Sequence, residues 1–101
     1  WGHAREYVKG MWLMLQQDTP DDYILATGRT HTVREFARLA FEAVGLEYEP
    51  FVVLDPRYVR PADVDLLVGD PSKAARQMSW RAETSLGEYM RRHGPFEPHR
   101  V

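Results

Sequence analysis

The chain has 101 residues, which suits one domain, and its 44% hydrophobic and 28% charged residues are typical of a globular protein rather than a disordered one. Thirteen Lys and Arg against fifteen Asp and Glu give a formal net charge of -2, which argues against binding to nucleic acid or anionic membranes through overall charge. Cysteine is absent, which excludes disulfides, thiolate nucleophiles and cysteine-ligated zinc. With no apolar run near 18 residues and no signal peptide, we expect a cytoplasmic protein.

Apolar residues at helical spacing predict a first helix over residues 3–17. Because this pattern starts almost at Trp1, we expect the chain to be a fragment of a longer protein. The apolar stripe on one face of the helix is more typical of a core than of a ligand platform. That stripe consists of Tyr7, Val8, Met11, Trp12 and Leu15.

A βαβ unit is predicted next. Residues 23–26 and 51–54 are short, apolar and typical of buried strands. Between them, Thr32 and Glu35 form a capping box, and Gly45 suits the left-handed end of a helix. A strand, a helix and a parallel strand in this order predict a right-handed crossover, and hence an α/β fold in which additional helices surround a small βαβ unit.

The remainder is predicted to form one more extended piece and two helices. Residues 64–68 alternate like a short strand, and Asp70 with Pro71 marks a helix start. A last helix is predicted to start near Leu86 and to end at Gly94-Pro95, with Trp80 filling a gap in the core beneath these helices. We expect one domain over residues 1–94 and a frayed tail over residues 95–101.

Four motifs, taken together, resemble one enzyme family. "WGHA", "MWLMLQQD", "DDYILATG" and "RPADVDLLVGDPSKA" occur here in the order found in the C-terminal part of the GDP-mannose 4,6-dehydratase family, which are extended short-chain dehydrogenase/reductases of the epimerase/dehydratase superfamily. The resemblance covers the chain from Trp1 to about Glu88. It implies that this chain is the nucleotide-sugar-binding C-terminal portion of such an enzyme.

The catalytic half of that family is missing from this sequence. The resemblance implies a complete enzyme in which an N-terminal Rossmann domain binds NADP and carries a Tyr-x-x-x-Lys pair, and which converts GDP-mannose to GDP-4-keto-6-deoxymannose and water. This chain contains neither Gly-x-x-Gly-x-x-Gly nor Tyr-x-x-x-Lys. We therefore assign it no catalytic residue and expect no cofactor on this chain alone.

Arg60 and Asp63 are the predicted substrate-binding residues. In related enzymes an arginine at the position of Arg60 contacts the diphosphate, and the acidic residue three positions later can bind a ribose hydroxyl. A guanidinium offers a planar fork of donors to phosphate oxygens, and a carboxylate accepts from a hydroxyl. Pro61 restricts the backbone between them. The family usually has Thr-Glu where this chain has Ala62-Asp63, so the carboxylate is one methylene shorter.

A simpler interpretation of this charge cluster is open. Arg57, Arg60, Asp63 and Asp65 could pair with one another on a solvated loop, as surface charges often do. A metal site is not expected, since the four histidines, at positions 3, 31, 93 and 99, lack His-x-x-x-His spacing.

Two other functions fit the sequence. One is a stand-alone binding or oligomerisation module that uses the surface left by an absent Rossmann domain to associate with itself or with such a domain. The other is part of a related nucleotide-sugar epimerase or reductase.

Overall fold

The computed structural model describes residues 1–93, and within them the protein is built from α-helices joined by long irregular segments. One short 3-10 turn, Pro56–Tyr58, interrupts the longest of these segments. None of the helices in this range combines the length and the apolar character needed to cross a membrane. The helices are α1 (Ala4–Leu15), α2 (Val33–Glu42), α3 (Ser72–Met78) and α4 (Leu86–His93).

Local sequence signals set the ends of α1 and α2. His3 is the N-cap of α1, and its Nδ1 accepts from the backbone N–H of Arg5 at 3.1 Å. Thr32 caps α2 by accepting from the N–H of Glu35 at 3.0 Å, as predicted. Gly45 adopts φ 74°, which confirms the left-handed stop after α2.

The start of α3 lies one residue later than predicted. Pro71 is the N-cap rather than the first helical residue, and the helix begins at Ser72. The carboxylate of Asp70 accepts from the N–H of Ser72 at 2.9 Å, so Asp70 still satisfies a donor of the first turn. The start of α4 is as predicted, since Ser85 Oγ accepts from the N–H of Glu88 at 3.2 Å.

The core lies around Trp80, as predicted. Trp80 is 2% exposed and packs with Ala74 and Met78, which are also buried. Its indole N–H donates to the backbone carbonyl of Glu6 at 2.8 Å, so the ring is both packed and hydrogen-bonded, as a buried indole requires. This contact attaches the segment after α3 to α1.

The side chain of Glu6 makes a second attachment between the same parts of the chain. Its Oε1 accepts from the backbone N–H groups of Glu83 and Thr84, at 3.0 and 2.9 Å, and from the Thr84 hydroxyl at 2.9 Å. One carboxylate oxygen therefore satisfies three donors in a segment that has no regular structure of its own.

The predicted core stripe of α1 holds only in part. Met11 and Trp12 are 57% and 59% exposed, and Val8 and Leu15 are more exposed still, so these four residues are not in the core. Tyr7, the fifth residue of the stripe, does face the Trp80 core, together with Gly10, Leu13 and Met14. Because α1 is apolar on two faces, spacing alone does not indicate which face is covered. We call the uncovered face of Val8, Met11, Trp12 and Leu15 the open face of α1.

The predicted βαβ unit is not formed, because residues 1–93 contain no β-strand. The segment 51–54 turns back after α2 instead of extending beside 23–26. The N–H groups of Phe51 and Val52 both donate to the Tyr48 carbonyl at 3.0 Å, and the Phe51 ring stacks on Phe41. A strand needs a neighbouring strand to form its backbone hydrogen bonds. The turn takes residues 51–54 out of that role for residues 23–26.

The chain is more extended than a compact domain. Its Cα radius of gyration is 17.3 Å, whereas a compact domain of this length has about 13 Å. Every residue from 51 to 68 except Asp55 is exposed. The predicted strand at 64–68 is part of this exposed segment and is irregular. The predicted helix stop at Gly94-Pro95 and the tail after it lie outside the described residues.

Candidate functional site

Both predicted substrate-binding residues lie on the loop of residues 59–69, which we call the Arg60 loop. It follows the 3-10 turn Pro56–Tyr58 and leads into α3. Arg60 and Asp63 are exposed on it and line one open groove of about 650 Å³. The other walls of the groove are largely apolar and comprise Val53, Leu54, Asp55, Tyr58 and Val59. The structure thus brings the two predicted residues to one concave surface.

The neighbouring arginine, Arg57, is already paired. Its guanidinium donates to both carboxylate oxygens of Asp55, at distances of 2.7 to 3.1 Å. This bidentate pair holds the pKa of Asp55 below its usual value and raises that of Arg57. Asp55 also caps the 3-10 turn by accepting from the N–H of Arg57 at 3.0 Å. The charges of Arg57 and Asp55 therefore neutralise each other within the turn.

Arg60 differs from Arg57 in this respect. It forms no ion pair with any residue of the range 1–93, and neither does Asp63. The charge cluster is consequently not the closed set of mutual pairs that the simpler interpretation predicts. Among the described residues, the cluster forms one ion pair, between Arg57 and Asp55. Asp55 is not one of the four residues that the sequence suggested would pair with one another.

The carboxylate of Asp63 has one oxygen in use. Its Oδ1 accepts from the adjacent N–H of Val64 at 3.0 Å, which orients the side chain. The second oxygen has no hydrogen-bond partner among the described residues and remains able to accept. The side chain of Asp65 forms no hydrogen bond and no ion pair among the described residues.

A second cavity is smaller and polar. It has a volume of about 130 Å³ and lies between the segment before α2 and the start of α4. Its walls include Arg29, Glu83 and His31, whose Nδ1 lies 3.1 Å from a carboxylate oxygen of Glu35 but is not aligned for a hydrogen bond. Drug-sized ligands occupy about 300–1,000 Å³, so this cavity is too small for a nucleotide sugar.

The described residues offer neither a metal site nor a dinucleotide site. No three His, Asp or Glu side chains within the described range are arranged to hold a metal ion. A dinucleotide site needs a strand, a glycine-rich turn and a helix N-terminus in sequence, and residues 1–93 contain no strand. Residues 1–93 therefore lack the local structure that such a site requires.

Two features of the groove were missed from the sequence. Asp55 neutralises Arg57, and Tyr58 supplies a ring beside it, with the Arg57 guanidinium 5.8 Å from the ring centroid. The sequence does contain a signal for the 3-10 turn that brings Asp55 and Arg57 together, because Asp-Pro-Arg places an N-cap residue before a proline at the first position of the turn.

Comparison with known proteins identifies the family. A family model described as GDP-mannose 4,6 dehydratase matches residues 1–93. A GDP-mannose 4,6-dehydratase of Sinorhizobium fredii is 50% identical over 85% of this chain and 29% of its own length. GDP-mannose 4,6 dehydratases of Dictyostelium discoideum and Arabidopsis thaliana are 43% and 49% identical over 90% and 85% of this chain. The chain spans 30% and 24% of these two relatives. It therefore belongs to the GDP-mannose 4,6-dehydratase family and corresponds to less than a third of the length of these members.

Proposed function

We propose that this chain forms the substrate-side part of a GDP-mannose 4,6-dehydratase, which converts GDP-mannose to GDP-4-keto-6-deoxymannose and water. One observation carries the proposal. In a chain of this family, an arginine without an ion pair among residues 1–93 and a carboxylate with a free oxygen line the same open groove.

Arg60 binds the diphosphate in this proposal. Its guanidinium is permanently charged and can donate two parallel hydrogen bonds to phosphate oxygens. Because Asp55 is neutralised by Arg57, it does not repel the phosphates from the groove. Pro61 limits the motion of the backbone beside Arg60, which lowers the entropy lost when the ligand binds.

Asp63 binds a ribose hydroxyl through the oxygen that Val64 does not use. A carboxylate can only accept, and a hydroxyl can donate, so the two groups are complementary. The side chain is one methylene shorter than the glutamate usual in the family, so the hydroxyl must approach the loop more closely.

Catalysis and NADP binding belong to another domain in this proposal. This chain lacks the Tyr-x-x-x-Lys pair and a glycine-rich dinucleotide motif, so alone it binds nucleotide sugar without converting it. The open face of α1 is the proposed contact with that Rossmann domain, since it exposes Met11 and Trp12 side by side. Interfaces between domains bury about 600–1,500 Å². We further propose a cytoplasmic location.

The experiment is a ligand-observed NMR titration of the chain with GDP-mannose. If Arg60 and Asp63 contribute about 1.5–3 kcal/mol each, the two together correspond to a Kd on the order of 1 mM. We expect Arg60→Met to weaken binding about 10- to 100-fold. The matched control is Arg34→Met, because Arg34 is an exposed residue on α2, away from the groove. Equal binding by the Arg60→Met variant and the unaltered chain would contradict the proposal.

A second candidate is a self-association module. The open face of α1 favours it, because a contiguous apolar surface on a soluble protein marks an interaction site. Sedimentation at increasing concentration distinguishes the two functions. A monomer that binds GDP-mannose supports the first, and a dimer indifferent to GDP-mannose supports the second.

A further inference from the structure

The Arg60 loop is attached to the rest of the protein at few points. Apart from a turn bond from the N–H of Val59 to the carbonyl of Pro56, one hydrogen bond joins it to another segment of the described chain. The Thr30 hydroxyl donates to the carbonyl of Leu67 at 3.1 Å. The side chain of Leu67 itself is 78% exposed, so packing contributes little at this point.

A close backbone approach lies two residues further on. A Cβ added to Gly69 would lie 2.5 Å from the Cβ of Ala26, a distance that real side chains do not tolerate. Gly69 is therefore pressed against the segment before Thr30, and only glycine fits there. Together these two contacts fix the C-terminal end of the Arg60 loop on residues 26–30.

We infer that Thr30 and Gly69 are positioning residues for the nucleotide site. This inference rests on the proposed function, since it concerns the placement of Arg60. A loop with few attachments samples many conformations, and the apparent Kd equals the intrinsic Kd divided by the fraction of molecules in which Arg60 and Asp63 face one groove. The Thr30 bond and the Gly69 contact raise the competent fraction without touching the ligand.

Three variants test the hydrogen bond. Thr30→Val keeps the shape of the side chain but removes the donor, and we expect GDP-mannose binding about 3- to 10-fold weaker, the effect of one hydrogen bond. Thr30→Ser keeps the hydroxyl and should bind like the unaltered chain. Thr30→Val should weaken binding less in an Arg60→Met background than in the unaltered chain, because part of its effect is exerted through Arg60.

The close approach has its own test. Gly69→Ala should weaken binding, because the added Cβ meets Ala26. Gly69→Ala combined with Ala26→Gly should restore it, because the next nearest atom, Ile24 Cγ2, lies 3.5 Å from the added Cβ. An effect of Gly69→Ala that is unrelated to the contact with Ala26 would persist in this double variant.

The ¹⁵N order parameters of residues 64–68 supply a readout that needs no ligand, because they report the fast motion of the backbone. We expect lower order parameters in Thr30→Val and Gly69→Ala than in the unaltered chain. If Arg60→Met weakens binding but Thr30→Val and Gly69→Ala neither weaken it nor lower the order parameters, this inference is wrong and the proposed function stands. If Arg60→Met leaves binding unchanged, the proposed function fails, whatever the order parameters show.

Discussion

Gly10, the buried residue of α1, gives a sharp test of the described packing. A Cβ built on it would lie 2.6 and 3.0 Å from the two methyl groups of Leu25 and 3.0 Å from the indole nitrogen of Trp80. Replacing Gly by Ala inside a helix normally gains about 0.5–1 kcal/mol. Overpacking costs about 1–3 kcal/mol, and disturbing the bond from Trp80 to Glu6 costs about 1 kcal/mol more. We therefore expect Gly10→Ala to be destabilised by about 1–3 kcal/mol in total.

Gly87 offers a matched control in α4. A Cβ there would meet only a guanidinium nitrogen of Arg91 at 3.5 Å and a methyl group of Leu39 at 4.0 Å, which are ordinary contacts. The same substitution should therefore be neutral or stabilise by up to about 1 kcal/mol. Urea unfolding followed by tryptophan fluorescence and circular dichroism measures both variants. A Gly10→Ala variant as stable as Gly87→Ala would refute the described contact between α1, Leu25 and Trp80.

Three further predictions concern other contacts. Glu6→Ala should lose about 1–3 kcal/mol of unfolding free energy, because it removes the acceptor of the N–H of Thr84. Glu6→Gln keeps an oxygen acceptor and should lose less; equal losses in the two variants, measured by urea unfolding, would contradict this. The hydrogen bond from Lys73 holds the pKa of Asp21 below its usual value. The pair between Lys73 and Asp21 therefore stabilises the folded state fully above about pH 4, and this contribution is lost as the pH falls through the lowered pKa of Asp21. The difference in urea midpoint between the unaltered chain and Asp21→Asn should therefore shrink between pH 7 and about pH 2, and a constant difference would show that the pair contributes nothing. Trp12→Glu should lower any concentration-dependent association seen by sedimentation while changing the unfolding free energy by less than about 0.5 kcal/mol; a larger loss would mean that the open face of α1 is covered.

The helices were predictable from the sequence because their signals are local. Thr32 with Glu35, Gly45 and Ser85 act within one turn of the residues they cap, so a short stretch of sequence contains both partners. The burial of Trp80 was predictable too, because a large aromatic residue between two short helices gains much free energy when it packs in the core.

The irregular segments were not predictable, because their partners are far away in the sequence. The apolar run 51–54 has the composition of a strand, yet the stacking of Phe51 on Phe41 turns it towards α2. The neighbour of Ala26 is Gly69 rather than this run. Periodicity describes which residues are apolar and says nothing of which segment they meet. The same limit explains the open face of α1, where Met11 and Trp12 have core-like spacing without a covering element.

The candidate site was half predictable. Arg60 and Asp63 were predicted from the resemblance of their motif to one family, whose model matches residues 1–93, and their binding role stays a proposal. The pairing of Arg57 with Asp55 depends on side-chain geometry around the 3-10 turn, which residue types alone do not specify.

The NMR signal of the Arg60 side chain tests most directly whether Arg60 and Asp63 bind GDP-mannose. The chain is labelled with ¹⁵N, GDP-mannose is added to saturation, and the Nε–Hε signal of Arg60 is monitored together with the backbone amide of Asp63. We predict that both signals shift along the same binding curve, while the amides of Thr27 and His31, which both line the small cavity, stay in place. Unmoved Arg60 and Asp63 signals, with shifts at Thr27 and His31 instead, would contradict it.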